Sequence, residues 1–363
     1  VEITDDKITD IYAQSDRTWD GRGYFLDYTD HYISPGFIDL HVHGALGRDF
    51  MDADMESFNI IGGHLVRTGV TSFLATTLSA AFPSILGVIH TVKRSPTYPL
   101  VSKPLGVHVE GPFLNVEECG AQNAKFIKEI TEEDLMLLIE ATQGLKTIVT
   151  LAPEVEDNMR FIKTLRESGI VASVGHSRAS YEQTLEGIKA GISHATHFFN
   201  AMPEFQHREP GVVGAILESE QVTVELICDG IHVHPAAVRL VLERKKPENV
   251  CLITDSILAA GLGDGEYILG DLEISARGYK TRLRDSDVLA GSVLTMNMAL
   301  KNILEWTDLT LSQAVNMASH NPARVIGMDR EMGSITRGKL ANLTVFDRDF
   351  RVMQTYVLGK PVI

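Results

Sequence analysis

The stretch Pro35-Gly36-Phe37-Ile38-Asp39-Leu40-His41-Val42-His43-Gly44 joins an apolar strand to a reactive end. Phe37, Ile38, Leu40 and Val42 suit a strand buried on both faces. Pro35-Gly36 and Gly44 punctuate its two ends. His41 and His43 stand two residues apart, and side chains at that spacing leave a strand on the same side. Together they can grip one cation. The bland reading is two histidines on a half-exposed strand, and taken alone it weighs about the same. The flanking Pro-Gly and Gly make an ordinary packed strand the weaker choice.

Seven further apolar, β-branched segments follow: Thr71–Thr77, Leu105–Glu110, Thr147–Ala152, Ile170–His176, Ile192–His197, Val222–Asp229 and Val250–Asp255. With Phe37–His43 they make eight. Helical periodicity fills most of the gaps, over Met55–Gly69, Pro83–Lys93, Glu132–Ala141, Glu156–Gly169, Tyr181–Gly191 and Pro235–Lys245. Strands alternating with helices predict a parallel sheet covered on both sides. Eight such units in one run predict an α/β fold of the closed (β/α)8 TIM-barrel type. A doubly wound open sheet is the alternative with the same alternation.

The ends read differently. Residues 1–34 and 332–363 are short β-like pieces with turns at Asp20-Gly21-Arg22-Gly23 and Leu358-Gly359-Lys360. They are expected to form one small β-sandwich domain, with residues 35–331 as the barrel between them. Residues 261–288, rich in glycine, interrupt the pattern after the eighth strand and are expected to form an inserted hairpin.

Composition narrows the classes. The 363 residues are 44% hydrophobic and 22% charged, an ordinary globular composition, and no apolar run is long enough to cross a bilayer. A net charge of −15 without a Lys/Arg cluster argues against nucleic acid. Three cysteines without a C-x-x-C pair predict a reducing, cytoplasmic compartment and no thiolate zinc site. The start, Val1-Glu2-Ile3-Thr4-Asp5, has neither the basic region nor the apolar core of a secretory leader. It opens without methionine, as if partway into a strand, so upstream residues are expected to be missing.

Several strands end in a ligand-type side chain. Strand three ends in His108-Val109-Glu110, strand five in Gly175-His176-Ser177 and strand six in His194-Ala195-Thr196-His197. Strand seven ends in Asp229, followed by His232 and His234, and strand eight ends in Thr254-Asp255. In a barrel all C-terminal strand ends share one mouth. Glu110 alone reads as a loop-entry salt bridge, His176 as a helix-start histidine, His197 as a core histidine and Asp255 as a helix cap. Together, Glu110, His176 and His197 make the mixed nitrogen and oxygen set of zinc or iron. Asp255 then becomes a general base and acid beside a metal-activated water.

These residues sit in longer matching stretches. They include His108-Val109-Glu110-Gly111-Pro112-Phe113-Leu114-Asn115, Thr196-His197-Phe198-Phe199-Asn200-Ala201-Met202, Arg208-Glu209-Pro210-Gly211, Asp229-Gly230-Ile231-His232, Leu289-Ala290-Gly291-Ser292 and Gly338-Lys339-Leu340-Ala341-Asn342-Leu343. In this order the chain resembles the N-acetylglucosamine-6-phosphate deacetylases of the amidohydrolase superfamily. The resemblance implies a barrel with a β-sandwich built from both chain ends. It implies Glu110, His176 and His197 as ligands of the metal common to the family, and His41 and His43 as extra ligands of two-metal members. The cofactor it implies is one or two divalent ions, Zn2+ or Fe2+ first, with Mn2+ or Co2+ also suitable. Asp255 is implied as catalytic acid/base, in contact with the metal. Asn200, Ala201, Arg208 and His232 are implied as contacts to a phosphorylated N-acetyl amino sugar. Ala121, Asp229, Leu289, Ala290 and Gly291 are implied as its sugar lining. A homodimer is implied, with Arg208 reaching the neighbouring site. The chain departs from the family at Gly120-Ala121-Gln122-Asn123-Ala124, where His and Pro often replace Gln122 and Ala124. His207 is also outside the pattern. The galactosamine epimer, another cyclic-amide or amino hydrolase, and a catalytically dead barrel remain the rival readings.

Overall fold

The computed structural model describes residues 1–13, 23–97, 101–155 and 158–363. The turn expected at Asp20-Gly21-Arg22 and the first two residues of the helix expected from Glu156 lie outside the described residues. Eight parallel strands form one sheet: Phe37–Val42, Val70–Thr76, Lys103–Glu110, Lys146–Leu151, Val171–Val174, His194–Ala195, Thr223–Ile227 and Val250–Ile253. They neighbour one another in chain order, as a (β/α)8 barrel requires and a doubly wound sheet does not. The barrel closes between strands eight and one. Val42 bridges Ser256, the Asp255 N–H donates to the His41 carbonyl at 2.9 Å, and the His43 N–H donates to the Ser256 carbonyl at 2.8 Å. Closure thus happens at the end where His41, His43 and Asp255 emerge.

The strands are buried because their outer faces meet amphipathic helices. Met55–Arg67 turns Phe58, Ile61 and Leu65 inward, one helical turn apart. Each such side chain contributes about 1.5–3 kcal/mol on burial. Capping boxes start three α-helices: Thr131 with Asp134, Ser180 with Gln183, and Thr310 with Gln313. The helix Gly211–Glu218 escapes sequence reading because Gly-Val-Val-Gly-Ala-Ile-Leu is apolar nearly all round and shows no period.

Inside, the barrel departs from layers of aliphatic side chains. His108 Nε2 meets Thr150 Oγ1 at 2.7 Å, Thr150 Oγ1 meets Thr196 Oγ1 at 2.7 Å, and Ser173 Oγ meets Thr196 Oγ1 at 2.6 Å. This buried network lies directly beneath the mouth. Strands three and four approach closely at Gly106, where an added Cβ would lie 1.7 Å from the Lys146 carbonyl oxygen. Gly106→Ala is therefore expected to cost about 3 kcal/mol through backbone overpacking. A urea midpoint within error of the parent would contradict this.

The chain ends meet in a four-stranded antiparallel sheet, ordered Lys360–Pro361, Val352–Val357, Leu343–Phe346, Tyr32–Pro35. A second pair, Glu2–Thr4 with Lys7–Asp10, is tied to it by Ile8 N–H to the Lys339 carbonyl at 2.9 Å. Ile8, Ala341, Leu343, Val345 and Tyr356 pack between them. The insertion is a three-stranded meander rather than a hairpin: Gly265–Leu269, Leu272–Arg277 and Lys280–Leu283. Two glycines explain the extra strand, since Gly270 (φ 57°) and Gly278 (φ 60°) each permit a tight turn. Its Leu269, Ile274 and Ala276 pack over Ile257, Leu258 and Ala290 beside the barrel mouth.

Candidate active site

Strand one delivers His41 and His43 to one spot, with their Nε2 atoms 3.2 Å apart. Strands three, five and six bring Glu110, His176 and His197 alongside. Glu110 Oε1 lies 2.9 Å from His197 Nε2, 3.2 Å from His176 Nε2 and 3.5 Å from His41 Nε2. Glu110 Oε2 lies 3.3 Å from His43 Nε2. Asp255 Oδ1 completes the ring, 3.3 Å from His43 Nε2 and 3.5 Å from His41 Nε2. All six side chains are buried. Two triads, His41-His43-Glu110 and Glu110-His176-His197, each bring their donor atoms within 4.8 Å of one another, a spacing that can hold a metal ion.

The outer bonds of two of the four histidines, His176 and His41, fit that reading, while the Nδ1 atoms of His43 and His197 are buried without a partner among the described residues. His176 Nδ1 donates to the Glu118 carbonyl at 2.7 Å, and His41 Nδ1 donates to Glu225 Oε2 at 3.0 Å. In the neutral ring each such bond leaves a lone pair on Nε2, aimed into the cluster. His176 and His197 Nε2 atoms stand 3.0 Å apart, an arrangement that favours a cation or shared proton between them. A third group, His41-His108-Glu225, has ligand-type atoms equally close. It does not suit a metal. His108 Nδ1 is taken by the Leu40 carbonyl at 3.0 Å and its Nε2 by Thr150.

Electrostatics follow from burial and proximity. Burial alone would raise the Glu110 carboxyl, but His41, His176 and His197 override it and hold the group well below the usual carboxylate range. Burial likewise works against ionised Asp255, and His41 and His43 bring it below its ordinary value. Burial would lower His43, yet Asp255 and Glu110 lift it to about 9. Without a metal, protons on His41 and His43 balance the carboxylates.

Backbone geometry at the site is unusual. His176 (φ 48°), His197 (φ 27°), Ala201 (φ 51°) and Asp255 (φ 49°) all adopt the left-handed region without being glycine. Such conformations cost about 1–3 kcal/mol each and cluster where function imposes them. Gly111 (φ 85°) turns the chain just after Glu110, and a Cβ there would lie 2.1 Å from Ser79 Oγ.

A cavity of about 460 Å³ opens above the cluster, a size typical of small-molecule sites. His43, Glu110, His176, His197 and Asp255 form its floor. Ala121, Asn200, Ala201, His232, Leu289 and Gly291 line it. His41 lies behind the floor. Asp229 stands back from the wall and orients His232, its Oδ2 2.7 Å from His232 Nδ1. Ala290 is buried under the wall, and Arg208 is exposed away from the cavity. Two residues that sequence reading did not place stand out. Gln122 donates from Nε2 to Glu110 Oε2 at 2.6 Å and accepts from the Ser79 N–H at 2.6 Å. Glu225 lies beneath His41. Its signal was visible: Glu225 is the one charged residue of the buried strand Thr223–Ile227.

With a barrel, a mouth of converging histidines and carboxylates, and a match to the amidohydrolase family over residues 32–362, the chain belongs to that family. Within it the likeness runs to amino-sugar enzymes. The chain is 38% identical to N-acetylglucosamine-6-phosphate deacetylase of Bacillus subtilis, over 91% of this chain and 84% of that protein. It is 36% identical to N-acetylgalactosamine-6-phosphate deacetylase of Escherichia coli O157:H7, over 90% and 87%. Among solved structures, a mutant N-acetyl-D-glucosamine-6-phosphate deacetylase from Mycobacterium smegmatis in complex with N-acetyl-D-glucosamine-6-phosphate superposes with a TM-score of 0.93 at 32% identity, over 99% and 93%. Among the described residues, no helix is long and apolar enough to cross a membrane.

Proposed function

We propose that this chain hydrolyses the acetamide of N-acetyl-D-glucosamine 6-phosphate to D-glucosamine 6-phosphate and acetate. The convergence of four histidine Nε2 atoms on Glu110 and Asp255 carries this reading. Glu110, His176 and His197 would hold one divalent cation, and His41 and His43, with Asp255, would hold a second where both bind. Zn2+ or Fe2+ suits these donors best, and Mn2+ or Co2+ suits them too. When bound, the cation acidifies a water and polarises the acetamide carbonyl.

The rest is the work of side chains. Asp255 takes the proton from the attacking water as the new C–O bond forms. It returns that proton to the sugar nitrogen as the C–N bond breaks, so the amine leaves neutral. Asn200, Ala201 and the Leu289–Gly291 segment hold the sugar, with Ala121 and Asp229 beside them. His232, oriented by Asp229, and Arg208, from the neighbouring copy of a homodimer, hold the phosphate. This remote handle aligns the amide with the floor of the cavity. In this reading residues 35–331 are the catalytic barrel, 1–34 with 332–363 a small β-sandwich domain, and the compartment is the cytoplasm.

Acetate release tests the reading. N-acetylglucosamine 6-phosphate should be preferred over its galactosamine epimer and over unphosphorylated N-acetylglucosamine, with activity lost on chelation and restored by metal. Preference for the epimer keeps the chemistry and changes the substrate. No release from any of the three, with metal bound, overturns the deacetylase reading. Arg208→Ala should raise KM for the phosphorylated sugar by about 10- to 100-fold, as loss of a charge-assisted bond predicts. An equal effect on the unphosphorylated sugar would contradict the phosphate role.

A further inference from the structure

Glu225 is fully buried in barrel strand seven, flanked by Thr223, Val224, Leu226 and Ile227. It does not line the cavity, and the chemistry above does not use it. An ionised carboxylate in such a place is retained only with strong donors around it. Here the donors belong to the centre. Its Oε2 accepts from His41 Nδ1 at 3.0 Å and from the His197 backbone N–H at 3.1 Å. Its Oε1 meets His194 Nε2 at 3.1 Å, and His194 Nδ1 is anchored in turn to Thr223 Oγ1 at 2.6 Å.

One oxygen atom therefore ties strand one to strand six, which are not neighbours in the sheet. Each arm carries a different half of the cluster. His41 belongs to the His41-His43 pair and His197 to the Glu110-His176-His197 triad. The bond to His41 keeps a proton on Nδ1 and directs the Nε2 lone pair toward His43, Glu110 and Asp255. The bond to the His197 N–H braces a residue whose backbone is held at φ 27°. We propose that Glu225 is a positioning residue that fixes the His41 tautomer and the His197 backbone together, so that both halves of the centre share one geometry. This role rests on the metal-centre reading above, and not on the identity of the sugar.

Cobalt titration separates positioning from packing. Parent and Glu225→Gln are loaded with Co2+ at a temperature well below either melting point, and visible absorption and chelator competition report geometry and affinity. Glutamine keeps the shape and one acceptor but removes the charge. It should weaken Co2+ binding by about 10- to 100-fold and alter the visible spectrum. Unchanged affinity and spectrum, with only a lower melting point, overturns the role. A parent that binds no Co2+ overturns the metal centre itself, and this role with it.

A second measurement needs no stable variant. In the Zn2+-loaded parent, long-range 1H–15N correlation of the imidazoles should place the His41 proton on Nδ1. A His41 proton on Nε2, or none on Nδ1, overturns the assignment.

Discussion

Asp255→Asn is expected to lower turnover by about 10²- to 10⁴-fold, the range for loss of a general base and acid, while the cation stays bound. The backbone around Asp255 is held independently of its carboxylate. Its N–H donates to the His41 carbonyl at 2.9 Å, and its own carbonyl accepts from the Ser292 N–H at 2.7 Å. Asparagine fits the same space and keeps an oxygen toward His41 and His43. It cannot take a proton from water or return one to the leaving nitrogen. The Glu110-His176-His197 triad is untouched, so the cation it holds should remain at one equivalent per chain, whatever happens to the second. Turnover within tenfold of the parent in the metal-loaded variant would remove Asp255 from the proton-transfer role.

Glu110→Gln should have the opposite signature, losing metal and turnover together. Glu110 is the residue both triads share, with Oε1 facing His176, His197 and His41 and Oε2 facing His43. The amide supplies one weaker oxygen and a nitrogen that donates toward the same imidazoles. Metal analysis after gel filtration should find only background, and a parent-like metal content would sink the idea. In the metal-free proteins the change also removes a buried anion from beside the raised His41 and His43, which costs about 3–5 kcal/mol. The sign with pH is defined. The depressed Glu110 carboxyl contributes stability above its ordinary 4.5 and loses it as pH falls further. The raised His43 contributes below its ordinary 6.5 and loses that contribution as pH rises through about 9. The stability gap between metal-free parent and variant should therefore be open near neutrality and narrow toward both ends. A gap of constant size across that range would contradict the charge argument.

The parts of the site readable in sequence are those governed by a fixed period or by position in the barrel. His41 and His43 share a face because strand side chains alternate. Glu110, His176, His197 and Asp255 could be grouped because C-terminal strand ends share one mouth. Glu225 was passed over because its partners, His41, His194 and the His197 backbone, come from other strands. Gln122 was seen as a departure from the family pattern, but its bridge from Ser79 to Glu110 depends on how the loop folds back. The left-handed backbone at His176, His197 and Asp255 has no glycine to announce it. The extra strand of the 261–288 insertion and the helix Gly211–Glu218 were missed for opposite reasons, one having two turn glycines and the other no polar face. The barrel and the pairing of the chain ends were legible because strand–helix alternation persists through the middle and stops at both ends.

That pairing has a consequence for biosynthesis. Tyr32–Pro35 leads within two residues into the strand that carries His41 and His43, and its partner strand is Leu343–Phe346. Ser34 and Thr344, bonded across that pair, are 310 positions apart. A chain emerging from the ribosome therefore exposes every proposed metal-reaching side chain, His41 through Asp255, well before the strand that clamps the first of them is made. During that interval the nascent polypeptide holds the full set of imidazole and carboxylate ligands without that strand. Leu343–Phe346 therefore joins the segment leading to His41 and His43 only after all six ligand residues have been made.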